Sequence, residues 1–413
     1  MESDPTPYKP PIPKPILLLF IPFILALSLI FSWVYVDNLV IRPAEQKRYN
    51  STVMVSDFVV PYAAALLAID GTPEQAFDIK KIHSIEKQVS NNLSMPPIPW
   101  PYPPFYQLLI MPLGNFDYIT AYRLYVAITL AMLTIVAYCI ASYWLTPSLV
   151  IIFPALAFCV AVGQNGILSA SFIGAGLLLL KRRPIVAGIA FGLMAYKPHL
   201  AVAIPFCLLA GRYYRVLAAT GLTALATILI SILAFGTKPL IAFFLNLTSH
   251  SQIVFDHHSD LLLRMPTIMA MMLQLTDSKT FASAVQILVS VTALAGSAWV
   301  WRRSDQDWQK ALALTASIPL ATPYFFDYDM AIFSIPFVFL AKEVWTAGFT
   351  YQRALIITTL WLAPPMFFLF PPTCQIGPLV WLGLLGYVVY HVAKQGHDKP
   401  LSAWVSDVTS EID

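Results

Sequence analysis

Charged residues are scarce in this sequence: Asp, Glu, Lys and Arg make up 11% of its 413 residues, whereas a soluble chain usually has about 25%. The formal net charge of +3 is too small to indicate a nucleic-acid partner. By contrast, 58% of the residues are hydrophobic, and apolar runs of roughly 20 residues recur along the chain. The pattern excludes an ordinary soluble enzyme and predicts an all-α protein that crosses a membrane many times.

Cysteines are few, and their four positions are far apart: Cys139, Cys159, Cys207 and Cys374. The first three fall inside apolar runs, so the sequence offers neither a disulfide framework nor a paired-cysteine metal site. The adjacent histidines His257 and His258 also lack the spacing that metal ligands usually have. We therefore expect no metal and no other cofactor.

The apolar runs predict a single transmembrane domain, residues 16–393, with about twelve spans and interfacial helices in a long first outer loop. The spans lie near residues 16–36, 118–143, 148–162, 165–180, 185–197, 199–210, 216–235, 280–300, 311–323, 330–341, 354–370 and 377–393. Residues 1–15 and 394–413 are predicted tails, and 37–117 and 236–279 are predicted outer loops. The run 16–36 is too long for a signal peptide and lacks a cleavage site, so we expect an uncleaved span.

Lysine and arginine in short connections indicate orientation, because such loops stay on the cytoplasmic side. With the N-terminus inside, the predicted inner loops after the neutral connection near Pro147 are basic. Their charged residues are Lys181, Arg182, Arg183, Arg212, Arg215, Arg302, Arg303, Lys310, Lys342, Arg353, Lys394 and Lys399. Both termini are therefore expected to be cytoplasmic, in a protein of the cell membrane.

A cation and an imidazole, Lys197 and His199, interrupt the apolar stretch from Pro184 to Gly211. As one helix, this stretch would be roughly 42 Å long at about 1.5 Å per residue, against a hydrocarbon core of about 30 Å. Both ends carry arginines, so both are expected inside and the chain must cross twice. The residues around Pro198 would then be the outer tip of a hairpin, because proline breaks the helix.

Most other unusual polar residues fall on the same outer side. Asp57 is expected in the first turn of a short helix that Ser56 can cap and Gly71 can end. A second, interfacial helix can begin at Pro104, after a stretch rich in proline and aromatic residues. The other outer residues of interest are Tyr102, Gln164, Asn165, His257, Arg264, Tyr324, Asp327 and Asp329. Polarity on one side indicates a site that opens to the outer leaflet.

Each of these residues also has a simpler interpretation that the sequence leaves open. Asp57 is favourable near a helix N-terminus because of the helix dipole alone, and Lys197 can extend its amine to the outer headgroups. The two adjacent histidines can be ordinary loop residues, and Gln164 and Asn165 can form a turn. The aspartates near residue 328 can cap the next span.

Six short segments resemble, in their order and spacing, glycosyltransferase family 87: SDFVVPYAAALLAIDG, AFD, PYPPF, GQNG, RRPIVAGIAFGLMAYKPHL and TPYFFDYD. This family belongs to the multispanning GT-C group and includes mannosyltransferases that use polyprenol-phosphate-mannose. The likeness extends roughly from Ser56 to Pro336. Two positions depart from the pattern, since Phe77 stands where relatives often have Tyr, and Tyr324 lies where they often have His.

The resemblance implies a GT-C-like fold, a catalytic aspartate just after the first span, and a lipid-phosphate sugar donor used on the outer face. Asp57 occupies the catalytic position, and we hypothesise that it is the general base of an inverting transfer. Lys197 and Arg264 are candidates for stabilising the leaving polyprenyl phosphate, with His199 or His257 as hydrogen-bond donors. The other candidate substrate-binding residues are Gln164, Asn165, Tyr102, Tyr324, Asp327 and Asp329. A mannose-like hexose is the expected sugar, and a lipid or envelope glycan is the expected acceptor.

Two other classes of protein fit the composition. A carrier or lipid flippase would have polar residues along both halves of a pore and would move its substrate without covalent chemistry. A receptor or assembly scaffold would leave the outer cluster of Lys, Arg, Asp and His unexplained. We favour the enzyme because it accounts for that cluster.

Overall fold

The computed structural model describes residues 57–90, 97–255, 260–369 and 375–397, together with Ile30 and Asp37. Within these ranges the chain forms α-helices and short 3-10 turns, and no β-strand is present. The all-α prediction is therefore confirmed. Apart from Ile30, the predicted first span at 16–36 lies outside the described residues, as do the tail at 1–15, residues 398–413, Ser56 and His257.

The α-helices follow one another with short connections. They are α1 (Val59–Ile69), α2 (Ile79–Ser90), α3 (Pro104–Ile110), α4 (Tyr118–Ile140), α5 (Thr146–Ile151), α6 (Pro154–Val162), α7 (Gly166–Leu179), α8 (Pro184–Leu193), α9 (Pro198–Ala201), α10 (Ala203–Ala210), α11 (Tyr214–Phe235), α12 (Lys238–Val254), α13 (Ile268–Thr276), α14 (Lys279–Arg303), α15 (Asp307–Ala321), α16 (Ser334–Ala347), α17 (Tyr351–Leu369) and α18 (Gly377–His397). The 3-10 turns are Pro73–Phe77, Met111–Asn115, Met194–Tyr196, Asp260–Arg264 and Asp327–Phe333.

The predicted spans within the described ranges coincide with helix, but many of these helices are shorter than a bilayer is thick. In the described part of the chain, four helical segments are long and apolar enough to cross a membrane: Tyr118–Ile140, Tyr214–Phe235, Lys279–Arg303 and Asp327–Ala347. Other apolar helices have 10–17 residues, and the predicted span 148–162 is divided into α5 and α6 just before Pro154. The helices are as predicted, whereas a total of about twelve spans is not confirmed.

The long helices expose large apolar side chains on their outer faces. On α11 and α14 these include Leu222, Leu225, Leu229, Leu233, Ile287, Leu288 and Val291. Such a surface is unfavourable in water, since each buried CH₂ group contributes about 0.8 kcal/mol. Large exposed apolar side chains that recur along a helix are typical of a membrane-facing surface.

The predicted helix break at Lys197 is confirmed, because its backbone leaves the helical region at φ −137° and ψ 69°. A Cβ atom on Gly188 of α8 would lie 2.4 Å from Ala219 of α11. One turn later, a Cβ atom on Gly192 would lie 2.4 Å from Thr223. α8 and α11 therefore run in the same direction, so the chain must return between them, as the predicted hairpin requires.

The first helix differs from the prediction at its start and agrees with it at its end. α1 begins at Val59, with Phe58 as the N-cap residue, so Asp57 precedes the helix and does not lie in its first turn. Gly71 follows the helix with φ +75°, the left-handed conformation that commonly ends a helix. The next predicted start is also correct, because α3 begins at Pro104. The predicted outer loop 236–279 contains helix α12 and helix α13.

Candidate active site

Arg264 links two aspartates that are far away in the sequence. Its Nη1 donates a hydrogen bond to Asp57 Oδ2 at 3.0 Å. Its Nε and Nη2 donate to the two carboxylate oxygens of Asp327 at 2.9 and 3.1 Å. A two-point contact of this kind fixes the plane of the guanidinium group. Asp327 therefore holds Arg264, and Arg264 presents its remaining edge to Asp57.

This network has an accessible side and a buried side. The side chains of Asp57 and Arg264 are 22% and 29% exposed, whereas that of Asp327 is 7% exposed. Burial opposes the charge of Arg264, but the carboxylates of Asp327 and Asp57 outweigh it and raise the pKa of Arg264 above its ordinary value. A permanent cation and a carboxylate thus lie side by side where a ligand can reach both.

Lys197 forms a second ion pair in the interior. Its Nζ donates to Asp329 Oδ1 at 2.6 Å and to Asn165 Oδ1 at 2.8 Å. The Lys197 and Asp329 side chains are 1% and 0% exposed. Charges this deeply buried persist in proteins when they are paired and hydrogen-bonded, as these are.

Tyr328 lies between the two ion pairs. The centre of its ring is 4.7 Å from Lys197 Nζ and 5.8 Å from the guanidinium carbon of Arg264, within the range of cation–π attraction. Phe326 stacks on the same ring, with the planes 4° apart. Tyr328 is not among the predicted substrate-binding residues. Tyr328 could have been found from its place in the sequence between Asp327 and Asp329. Each of these aspartates binds a cation, and the two cations flank the Tyr328 ring.

Buried aromatic packing positions Asp57. The next residue, Phe58, is fully buried, and its ring lies 5.4 to 5.6 Å from those of Tyr118, Tyr122 and Tyr125 on α4. The Phe58 N–H donates to the Val162 carbonyl at the end of α6 at 3.1 Å. The backbone at residue 57 is therefore anchored to two helices although it precedes α1.

The 3-10 turn Asp260–Arg264 positions the guanidinium group. Leu262 and Met265, on either side of Arg264, are buried in a small apolar cluster with residues of α13. The Leu262 carbonyl accepts a hydrogen bond from Gln375 at 3.0 Å, and the Pro266 carbonyl accepts one from Trp381 at 3.1 Å. These contacts secure the turn on both sides of Arg264.

Four further predicted site residues form two contacts. Gln164 accepts a hydrogen bond from the Tyr102 hydroxyl at 3.2 Å, and Tyr102 is 4% exposed, so its ring belongs to the interior. The ring centres of His199 and Tyr324 are 6.1 Å apart, with the ring planes tilted by 57°. The centre of the Tyr102 ring is also 5.8 Å from Lys197 Nζ, which places Tyr102 and Gln164 beside the buried ion pair.

Positive charge at this site is supplied by side chains. In the described part of the chain, no group of three or more His, Cys, Asp or Glu residues has a geometry that could hold a metal ion. The guanidinium of Arg264 instead lies between the two nearest carboxylates, Asp57 and Asp327. A base next to a fixed cation can accept a proton while a neighbouring anion is stabilised.

The model of glycosyltransferase family 87 matches residues 100–323, more than half of the chain. The chain belongs to glycosyltransferase family 87. No curated protein and no solved structure matches it. As a family 87 glycosyltransferase, the protein uses a sugar donor and an acceptor substrate.

The matched range contains one half of the site of this family 87 glycosyltransferase. Asn165, Lys197 and Arg264 lie inside residues 100–323, whereas Asp57 and Asp327 lie outside. Arg264 connects the two halves through its hydrogen bonds to both aspartates. Asp57 therefore shares a site with residues that the family model includes.

Proposed function

We propose that this glycosyltransferase moves a mannose-like hexose from a polyprenyl phosphate to a hydroxyl group of a lipid or envelope glycan. The reaction would take place at the outer face of the cell membrane, with inversion at the anomeric carbon. The observation that supports it is the 3.0 Å contact between Asp57 and Arg264 on the accessible side of the site. Family membership accounts for sugar transfer, and this contact supplies a base next to a cation.

Asp57 is the proposed general base. Its carboxylate removes the proton from the acceptor hydroxyl as that oxygen forms a bond to the anomeric carbon. At the same time, the bond from that carbon to the donor phosphate oxygen breaks, and the electron pair leaves with the polyprenyl phosphate. The sugar is transferred in a single displacement, after which Asp57 is protonated.

Arg264 is the proposed partner of the leaving phosphate. A planar guanidinium matches phosphate oxygens in two-point contacts, and Arg264 is already oriented by Asp327. Lys197 is the other candidate cation, but its amine is 1% exposed and is bound by Asp329 and Asn165. We therefore assign the phosphate to Arg264 and assign Lys197 to holding Asp329 beneath it.

The donor and the membrane face are proposed from chemistry and charge. A cell exterior has no nucleotide sugars, so a lipid-linked sugar is the activated donor available there. The basic connections indicate the cytoplasmic side, and by that count the site residues lie on the other side. We expect transfer without an added divalent metal, because Arg264 can neutralise a monophosphate leaving group.

The test uses the full-length protein in lipid nanodiscs with labelled polyprenyl-phosphate-mannose, -glucose or -arabinose and a membrane lipid extract. Asp57→Asn should lower the transfer rate by about 100- to 10,000-fold, the usual contribution of a general base. Arg264 keeps its two bonds to Asp327, so the variant should remain folded. The matched control is Asp70→Asn, at the exposed opposite end of α1. Transfer by Asp57→Asn at the rate of the unaltered protein would show that Asp57 is not the base.

The same donor separates the enzyme from a carrier. In proteoliposomes, a carrier would move the labelled lipid to the other leaflet without forming a new glycosidic bond. Product analysis by mass spectrometry should instead show the sugar on an acceptor. Movement of label with no glycosylated product for any of the three donors would contradict the proposed function.

A further inference from the structure

The GQNG loop, defined here as residues 163–165 with Gly166, the first residue of α7, follows α6 and contacts a different segment with each of its four residues. Gln164 accepts a hydrogen bond from Tyr102 at 3.2 Å. Asn165 accepts one from Lys197 at 2.8 Å. The two glycines make the other two contacts, and both are too close to allow a side chain.

Gly163 contacts the segment that bears the proposed base. Its φ of +68° lies in the left-handed region, where residues other than glycine are strained. A Cβ atom at this position would lie 2.6 Å from the Cβ of Phe58. Because Phe58 is buried and follows Asp57 directly, the loop and the backbone next to Asp57 can approach only if residue 163 has no side chain.

Gly166 contacts the segment that holds Arg264. A Cβ atom on Gly166 would lie 2.0 Å from the Tyr328 carbonyl oxygen and 2.9 Å from its carbonyl carbon. These are backbone atoms, so no side-chain rotation can relieve the contact. The Tyr328 backbone is directly bonded to Asp327 and Asp329, and its N–H donates to Asp327 Oδ1 at 2.7 Å. A displacement at Tyr328 would therefore move the carboxylate that orients the guanidinium.

We propose that the GQNG loop positions the reacting groups, with its two glycines setting the separation between Asp57 and the Arg264–Asp327 pair. One glycine contacts the Phe58 side chain on the Asp57 side, and the other contacts the Tyr328 backbone on the Asp327 side. The loop thus determines how far the base lies from the cation. This proposal rests on the proposed function, because it is the transfer reaction that makes the separation matter.

The size of the effect follows from the geometry of proton transfer. A base has to lie within hydrogen-bond reach of the proton that it removes, and an error of about 1 Å in the position of reacting groups can cost about 100-fold in rate. Displacing Tyr328 should affect the transition state more than the binding of a donor, most of which is lipid and sugar. Positioning therefore predicts a lower kcat with little change in the donor KM.

The experiment compares Gly166→Ala with Gly221→Ala in full-length protein in nanodiscs, with the labelled donor that supports transfer. A Cβ atom on Gly221, in α11, would have no heavy atom within 4 Å, so this variant is the matched control. We expect Gly166→Ala to lower kcat by about 10- to 100-fold while the donor KM stays within about threefold. Gly221→Ala should match the unaltered protein in both, and thermal unfolding should show both variants folded.

A second variant, Gly163→Asn, tests the Asp57 side, because asparagine tolerates the left-handed conformation better than most residues. It should also lower kcat with little change in KM. The proposal would be overturned if the kcat of Gly166→Ala were within about twofold of that of Gly221→Ala. It would also be overturned if both Gly166→Ala and Gly163→Asn failed to fold, because the loop would then be needed for folding. Asp57→Asn distinguishes failure of the two proposals. If Asp57→Asn has no effect on transfer, the proposed function fails. If Asp57→Asn is inactive and the two glycine variants are fully active, only the positioning role fails.

Discussion

Two pairs of oppositely charged residues lie within one site, yet their surroundings differ. Asp57 and Arg264 are about a quarter exposed and share a single hydrogen bond. Lys197 and Asp329 are almost fully buried, and Asn165 completes the bonding of the amine. One ion pair therefore lies where a substrate can reach it, and the other lies where it contacts only protein.

The difference in exposure indicates different roles for the two ion pairs. A buried pair cannot exchange its partner for a ligand without exposing an uncompensated charge, which costs several kcal/mol. An accessible pair can exchange, because water and ligand compensate the charges as they separate. We therefore assign proton and phosphate contacts to Asp57 and Arg264, and we assign Lys197 and Asp329 to holding the segment that carries Tyr328.

The strongest test of this contrast is removal of the buried cation. Lys197→Met leaves the Asp329 carboxylate buried without its partner, so we expect a loss of about 3–5 kcal/mol in the free energy of unfolding. Denaturant unfolding of the purified protein in detergent measures it. The double variant Lys197→Met with Asp329→Leu should recover most of the loss, because no charge is then left buried.

If Lys197→Met proves as stable as the unaltered protein, the buried pair is not a support and the contrast fails. If instead stability is kept and donor binding is lost, Lys197 would be the phosphate-binding cation. The exposed Lys238→Met serves as the control for removing a lysine from this chain.

The accessible pair should respond in the opposite way, through activity. Arg264→Lys keeps the charge but loses the two-point contact with Asp327, since an ammonium group cannot reproduce the planar fork. We expect kcat/KM to fall by about 10- to 100-fold while unfolding changes little. Transfer kinetics with the labelled donor measure the first quantity, and thermal unfolding measures the second. An equal loss in Lys197→Arg and none in Arg264→Lys would reverse the assignment of the two cations.

A third carboxylate sharpens the comparison because it is buried without a lysine or arginine partner in the described residues. Glu86 on α2 is fully buried, its Oε2 accepts a weak hydrogen bond from the Ile98 N–H at 3.4 Å, and it contacts His83 at 3.2 Å. Burial raises the pKa of Glu86 from 4.5 to about 7, although the Ile98 N–H lowers it in part. Glu86 therefore shows how burial raises the pKa of a carboxyl group when no lysine or arginine opposes the change.

The pKa of Glu86 predicts a pH-dependent stability. Because the folded pKa is the higher one, the stabilisation is present below about pH 4.5 and is lost as pH rises through about 7. Glu86→Gln should therefore stabilise the protein at pH 8, by about 1–3 kcal/mol, and by less at pH 5. Unfolding midpoints at the two pH values measure this, with the partly exposed Glu74→Gln as control. A gain that is equal at both pH values would mean that charge is not its cause.

Hydropathy predicted where the helices lie, but it did not indicate whether a given helix faces lipid or other helices. α15 is the clearest case: it was predicted as a span, and almost all of its residues are buried inside the protein. A helix that is apolar on every side can face lipid or other helices, and the sequence pattern is the same for both. An apolar run therefore predicts a helix without showing whether lipid or other helices surround it.

The residues of the site were predictable, whereas their pairing was not. Asp57, Lys197, Arg264, Asp327 and Asp329 were all singled out as polar residues on the predicted outer side of a largely apolar chain. Nothing in the sequence indicated that Arg264 would bind Asp57, 207 residues away, or that Lys197 would bind Asp329, 132 residues away. Such contacts depend on how the helices pack, and no local pattern encodes them.

The sequence by itself determined that this chain is helical, that it is apolar enough for a membrane, that it breaks at Lys197 and that it resembles one family. Those properties follow from composition, from proline and from local order along the chain. Only the tertiary structure decided which cation is accessible and which is buried, and how closely the glycines bring Phe58 and Tyr328 to one loop. Exposure and close backbone contact are properties of the packed molecule, because they arise where segments distant in sequence meet.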